Sequence, residues 1–245
     1  MIDGPVLVGE ALTAGLVLEA VFVEEGRSAR ADLAACIDRA EAAGADVWEL
    51  PDGALARLTD VVHPPGVAAI ARWTTARLPA PTPTSLVLVL VNVGDPGNAG
   101  TLVRTAEAAG ATVVVFAGQT VDPTNPKCVR ASAGALFHIP VVIEASPLDA
   151  LDELGRDGYR RIATDAGAST AYDCVELRGP VAIVLGSEAH GLPADLAASI
   201  DETVTIPMAG RSESLNVAVA GSILCFEALR QRRTRVPPSN QVDER

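Results

Sequence analysis

The 245-residue chain has room for one large or two modest domains, and with 49% apolar but only 3% aromatic residues its core must be built from Val, Leu, Ile and Ala. No apolar run approaches the roughly 18 residues that span a bilayer, and the opening Met1-Ile-Asp-Gly-Pro5 lacks a basic n-region, so neither a membrane role nor a signal peptide is expected. The net charge of −12 excludes strong non-specific attraction to RNA phosphates; the scattered Cys36, Cys128, Cys174 and Cys225 and three histidines exclude a disulfide framework and a zinc site, so no metal and a cytoplasmic location are expected.

Taken in chain order, the apolar spacing predicts helix over 6–14, strand over 17–23, helix over 29–43, strand over 46–50, helix over 52–58 and strand over 67–72. Together these make a small α/β domain over residues 1–78. Leu78-Pro-Ala-Pro-Thr-Pro-Thr84 sets prolines at alternate positions, so 79–84 is expected to be an extended, semi-rigid linker. The continuous apolar run 85–92 then predicts a strand buried on both faces. Helix 99–109, strand 112–116, helix 125–136, strand 139–143, helix 147–156 and strand 161–164 follow. After them come an apolar strand over 181–185, a short strand over 203–206 and a long helix over 215–231. Alternation of strand and helix assigns 85–235 to the α/β class, with a mostly parallel sheet covered on both faces. Residues 236–245 read as a disordered tail.

Three loops carry candidate chemistry. Gly94-Asp-Pro-Gly97-Asn98-Ala-Gly100 follows a strand and opens a helix, the setting of a phosphate loop. Its spacing is neither GxGxxG nor a Walker loop, and a plain turn accounts for its glycines equally well. Leu185-Gly186-Ser-Glu188-Ala-His190-Gly191 ends a buried strand, where open parallel sheets bind ligands and glycine admits them close to the backbone. Glu188 and His190 also read as ordinary exposed loop residues. Ile206-Pro-Met208 and Ser214-Leu215-Asn216 flank Gly210 and Arg211, with Met208 readable as core filler and Ser214 as a helix cap. Basic residues gather at Lys127 with Arg130, at Arg160 with Arg161, and at Arg230, Arg232, Arg233 and Arg235. Solvated helix ends and turns are their plain reading.

In this order and spacing the segments from Asp95 to Arg104, Val181 to Pro193 and Thr205 to Asn216 resemble the three motifs of the SpoU family of RNA ribose methyltransferases, within the SPOUT class. The resemblance is strong over roughly residues 86–233. It implies S-adenosylmethionine as cofactor and a C-terminal trefoil knot in the sheet domain. Asn98 and Arg104 stand where the family carries its asparagine and catalytic arginine; with Glu188, Ser214 and Asn216 they form the implied catalytic set. Leu185, Gly186, Ile206, Met208 and Leu215 form the implied cofactor pocket, where backbone and apolar groups suit adenine. A guanidinium keeps its proton, so orienting the hydroxyl and stabilising developing alkoxide suit Arg104 better than base catalysis. Glu188 is then the second candidate for accepting the proton.

Residues 1–78 resemble the substrate-binding domain often joined to these enzymes, with a fold like that of small RNA-binding ribosomal proteins. In that family the chain begins earlier, with a basic segment and a first strand ending near Asp3-Gly-Pro5. This domain is therefore expected to lack an edge strand and some RNA-binding charge. The resemblance further implies a homodimer through the C-terminal domain, using the final helix with Leu215, Val219, Ile223, Phe226 and Leu229. Ribosomal RNA is the expected partner, because the two-domain arrangement resembles the ribosomal RNA enzymes, the thiostrepton-resistance type among them. Housekeeping modification is the expected role. A transfer RNA 2′-O-methyltransferase and a catalytically inactive RNA-binding module are the alternatives, and the intact cofactor loops weigh against the second.

Overall fold

A computed structural model describes residues 1–28, 30–59, 64–212 and 214–233, so the expected tail over 236–245 lies outside the described residues. The first sheet contains β1 (Ile2–Asp3), β2 (Leu18–Glu24), β3 (Asp46–Leu50) and β4 (Val67–Ala71), in the order β1-β4-β2-β3. β2 and β3 run parallel, while β4 is antiparallel to β1 and β2. Helices α1 (Pro5–Thr13) and α2 (Ala31–Ala42) cover one face, burying Leu7, Val8, Leu33 and Cys36 in the same core as Val21, Val23 and Val67. α3 (Leu55–Leu58) is a single turn that buries Leu55. The expected loss of an edge strand is corrected here, because Ile2 and Asp3 pair with Ala69 and Ala68 and form that edge.

The second sheet contains β5 (Leu86–Val91), β6 (Val113–Ala117), β7 (Val141–Glu144), β8 (Arg160–Thr164), β9 (Thr170–Ala171), β10 (Val181–Leu185) and β11 (Glu202–Thr205). Its order is β7-β6-β5-β10-β8-β11-β9, and each pair is parallel. The unbroken apolar runs of β5 and β10 follow from burial on both faces. Leu86, Leu88, Leu90, Ile183 and Leu185 enter one core; Val87, Val89, Val91, Ala182 and Val184 enter the other. Helices α4 (Pro96–Ala108), α5 (Pro126–Ser132) and α6 (Pro147–Arg156) each begin with proline, whose missing N–H leaves no donor unsatisfied in the first turn. The side chains of Asp95, Asn125 and Ser146 accept from the N–H groups of Asn98, Lys127 and Asp149, capping these helices. The last helix is α7 (Val217–Arg233).

The expected helix over 125–136 is broken. Ala133 and Gly134 take positive φ (50° and 92°), and a short 3-10 turn, Ala135–Phe137, follows. A Cβ on Gly134 would lie 2.6 Å from the Glu10 side chain, because the N-terminal sheet domain packs at this point. Glu10 meets His138 Nε2 at 2.8 Å, and Arg130 of α5 donates to Asp3 at 3.4 Å. Between Ala71 and Leu86 the chain has neither helix nor strand, and Leu78 packs against the second core. Among the described residues no helix is long and apolar enough to cross a membrane.

Candidate active site

β5, β10, β8 and β11 run parallel, so their carboxyl ends meet on one edge of the sheet. From β5 the chain runs outward through β6 and β7 on one side, and returns to β10 and β8 on the other. Such a reversal leaves a crevice between the loops that follow the strands. Here it is a cleft of about 990 Å³ lined by residues 164–166, 186–192, 204–208, 212 and 214–217, with Ala220. Leu192, Val204, Ile206, Met208, Leu215 and Val217 give it apolar walls, and polar side chains such as Thr164, Asp165, Ser187 and Ser214 stand among them, a composition that fits a nucleoside-sized ligand.

A chain of side-chain hydrogen bonds joins the three motif loops at the mouth. Asn98 Nδ2 donates to Glu188 Oε1 at 2.9 Å, and Asn216 Nδ2 donates to Asn98 Oδ1 at 3.0 Å. The Glu188 carboxylate also accepts from the N–H groups of Gly94 and Asp95, both at 3.4 Å. Partial burial pushes the Glu188 pKa up, but the Asn98 amide and the N–H groups of Glu188, Gly94 and Asp95 outweigh it, and the net direction is down from the ordinary 4.5. A carboxylate so stabilised is a poor proton acceptor. Through these contacts the Glu188 side chain ties the first-motif loop to the cleft mouth.

Gly186 is required by the loop itself. A Cβ there would stand 2.2 Å from Gly191 C and 2.3 Å from Leu192 N, because the chain folds back and Ser187 pairs with Gly191 through both backbone N–H groups. The backbone crossing is a second reason for glycine beside the one read from the sequence, and Gly186 also lines the cleft. Ser214 is likewise not the cap of the last helix. Asn216 Oδ1 accepts from the N–H groups of Ala218 (2.8 Å) and Val219 (3.3 Å) and does that work.

Of the expected site residues, Gly186, Glu188, Ile206, Met208, Ser214, Leu215 and Asn216 line the cleft, and Asn98 closes its mouth. Met208 is 38% exposed, which removes the core-filler reading. The Leu185 side chain is fully buried behind the cleft, against the position of Gly221 in α7, and lines nothing. Arg104 is exposed on α4, does not line the cleft, and makes no hydrogen bond or ion pair among the described residues. It lies six positions after Asn98, which turns it about 120° around the helix. Sequence reasoning missed residues 164–166, Val204, Val217 and Ala220. The first group ends β8, whose place beside β10 follows no order in the chain.

Most of the basic clusters hold the fold together. Arg161 forks Asp201 with two contacts of 2.8 Å, Arg160 bonds the Glu176 carbonyl, and Arg230 forks Glu227 at 2.7 Å. Arg232 donates to the carbonyls of Leu177, Ser85 and Gly179 at 3.0–3.2 Å. Arg235 lies outside the described residues. The exposed Arg104, Lys127 and Arg211 are cations of another kind, facing solvent.

Comparison with known proteins agrees with this geometry. Residues 85–226 match the SpoU rRNA Methylase family, and residues 1–73 match the family described as RNA 2′-O ribose methyltransferase substrate binding. The chain belongs to the SpoU family and is by class an RNA 2′-O-ribose methyltransferase. Among particular relatives, it is 32% identical over 226 residues to the 23S rRNA (guanosine(2553)-2′-O)-methyltransferase RlmP of Bacillus subtilis, covering 92% of this chain and 86% of that protein. The AdoMet-bound rRNA methyltransferase from Sinorhizobium meliloti superimposes with a TM-score of 0.83 at 31% identity, covering 93% of this chain and 85% of that one. The SpoU methyltransferase AviRb from Streptomyces viridochromogenes gives a TM-score of 0.84 at 26% identity, with coverage of 94% and 88%.

Proposed function

We propose that this enzyme methylates a ribose 2′-hydroxyl of ribosomal RNA, with the cofactor in the cleft between the β8, β10 and β11 loops and Arg104 acting on the hydroxyl. The observation that carries the reading is the Glu188–Asn98–Asn216 chain of hydrogen bonds, which fixes the first-motif loop against the cleft mouth. S-adenosylmethionine supplies the methyl group as a sulfonium. Ile206, Met208 and Leu215 offer apolar contacts for its adenine, with the backbone of 186–192 facing the same space. Ser214 and Asn216 lie beside them, where polar groups orient ribose. Ribosomal RNA is favoured by the relationship to RlmP and by the two-domain pattern.

A neutral ribose hydroxyl is a weak nucleophile, so holding it in line with the methyl group and stabilising the alkoxide that develops are the two tasks of the protein. Arg104 is exposed with no hydrogen bond or ion pair among the described residues, and its planar fork is of the kind that engages a hydroxyl and a phosphate together while keeping its proton. Its distance from the lining of its own cleft is what a site shared between two copies resolves. α7 leaves Val219 and Phe226 each 48% exposed, with Ile223 and Leu229 half-buried beside them, a stripe suited to a homodimer. The C-terminal trefoil knot and the division at residues 79–84 belong to the same reading, as does a cytoplasmic location. The test is Arg104→Ala. Methyl transfer to ribosomal RNA is expected to fall by about 10²–10³ while S-adenosylmethionine affinity by calorimetry stays unchanged; Arg104→Lys is expected to rescue poorly. Transfer at the wild-type rate under saturating substrate would make Arg104 an ordinary helix residue. An inactive wild type that binds cofactor and RNA would instead mark a binding module.

A further inference from the structure

The N-terminal sheet has a second face that α1 and α2 do not cover. Cross-strand register places Asp3, Ala68, Phe22 and Trp48 in one row across β1, β4, β2 and β3, and Ile70, Ala20 and Asp46 in the next. Trp48 is 57% exposed and Ile70 39%, and Phe22 is half-buried yet packs against neither core. Phe22 and Trp48 are register partners on neighbouring strands, so their backbones stand at about 4.8 Å strand spacing and their side chains leave the sheet on the same face. Ala68 is fully buried and the α3 turn contacts β2, so the open part of this face runs over Ile70, the partly exposed Ala20, Asp46 and Trp48. In a chain with only four Phe, two Trp and two Tyr, an exposed Trp48 with a half-buried Phe22 and an exposed Ile70 beside it is a costly arrangement for solvent alone to explain.

Charge narrows what this face takes. Residues 1–73 carry five arginines and no lysine against twelve carboxylates. Arg27, Arg30 and Arg72 are paired to Glu24, Asp32 and Glu19, and Arg39 is bound to Thr13 and the Gly9 carbonyl, which leaves the exposed Arg57 as the one arginine of the five with no hydrogen bond or ion pair among the described residues. With one unengaged arginine against twelve carboxylates, the domain that matches a substrate-binding family draws little affinity from neutralising phosphates, the usual source. Flat base faces are the part of RNA that an acidic surface bearing an indole accepts. Asp46 sits two residues from Trp48 on the same face, exposed and without a hydrogen bond or ion pair among the described residues. A carboxylate there accepts from an exocyclic amine, which adenine has and uracil lacks. At the other end of the row Asp3 is bonded to Arg130 of α5, which packs on α4, the helix of Asn98 and Arg104. The aromatic face is thus continuous with the catalytic domain.

We propose that Trp48 and Phe22 form a stacking platform for an unpaired, amine-bearing base of the RNA substrate, with Asp46 reading the amine. The proposal rests on RNA being the substrate. The probes are fluorescently labelled rA12, rU12 and the rA12·rU12 duplex, read by anisotropy with the full-length protein. rA12 is expected to bind better than rU12, and the duplex least. Trp48→Ala is expected to weaken rA12 binding about fivefold to 150-fold, Trp48→Phe to keep most of it, and Asp46→Asn to narrow the preference for rA12. In a Trp73→Phe background Trp48 is the sole indole, and its fluorescence is expected to be quenched by rA12 and not by the duplex. A wild-type protein that binds rA12 with an affinity unmoved by Trp48→Ala overturns the proposal, as does equal quenching by the duplex. So does a Trp48→Ala variant whose only change is loss of a dimer in light scattering, which assigns the face to a second copy. Wild-type protein that methylates ribosomal RNA yet binds no rA12 also overturns it, while protein that does neither refutes the substrate reading instead.

Discussion

Replacing Glu188 separates two jobs that a carboxylate at the mouth of a methyltransferase cleft can do. Its 2.9 Å bond from Asn98 is a hydrogen bond to a charged acceptor, worth about 1.5–3 kcal/mol where water is excluded. Glu188 is an exposed residue, so the lower end applies, and the two 3.4 Å contacts to Gly94 and Asp95 add little. Glu188→Ala is therefore expected to cost about 1–2 kcal/mol of loop order, or about 5- to 30-fold in the rate if order is all that is lost. Glu188→Gln keeps an acceptor oxygen for Asn98 and is expected to stay within about tenfold of wild type; loss of a general base would cost about 10²–10⁴. The assay is single-turnover transfer of a radiolabelled methyl group to ribosomal RNA at saturating cofactor and RNA. The folded pKa of Glu188 is depressed, so its tie to the first loop is fully present above the ordinary 4.5 and is lost as pH falls through the lower folded value. No Glu188 limb is expected in the rate between about pH 6 and 9. A Glu188→Gln variant slowed a hundredfold or more with unchanged cofactor affinity would refute the positioning role and restore Glu188 as the proton acceptor.

Gly186→Ala is expected to lower both the melting temperature and the affinity for S-adenosylmethionine, since a Cβ 2.2 Å from Gly191 backbone must open the turn; calorimetry showing wild-type affinity and stability would contradict the crossing. Phe226→Asp sets a charge in the exposed stripe of α7 and is expected to convert a dimer to a species near 25.2 kDa in light scattering, with methyl transfer lost together with the dimer; a monomeric wild type at micromolar concentration would remove the shared-site proposal. Arg161→Ala removes the fork to Asp201 and the bond to the Leu151 carbonyl, and after allowance for the 37% exposed Asp201 it is expected to cost about 1–2 kcal/mol, or roughly 2–8 °C in melting temperature, by differential scanning calorimetry. The Arg161 hydrogen bonds hold the Asp201 pKa below 3.8, so this stabilisation is present above that value and fades as pH falls through the lower folded one. The variant and wild type should therefore converge in strong acid.

The sequence by itself determined the elements whose causes are local. The double-sided burial of β5 and β10 is written in Leu86–Val91 and Val181–Leu185, and the starts of α4, α5 and α6 in a capping side chain followed by proline. Three motif loops were also legible, because each is a short run whose spacing along the chain is its signal. What only the tertiary structure decided are contacts between distant segments. Asn98 meets Glu188 across 90 positions and Asn216 across 118, and neither partner can be read from residues near it. α5 gives way at Ala133 and Gly134, where Glu10 of the other domain leaves no room for a Cβ at position 134, and β1 and β9 are two-residue strands that exist through pairing alone. Arg161, a surface cation to any local reading, is fixed by Asp201, forty residues on. Helix caps and apolar periods are set by neighbours within a turn or two of backbone, whereas strand order, backbone crossings and the partners of charged side chains are settled when the whole chain closes on itself.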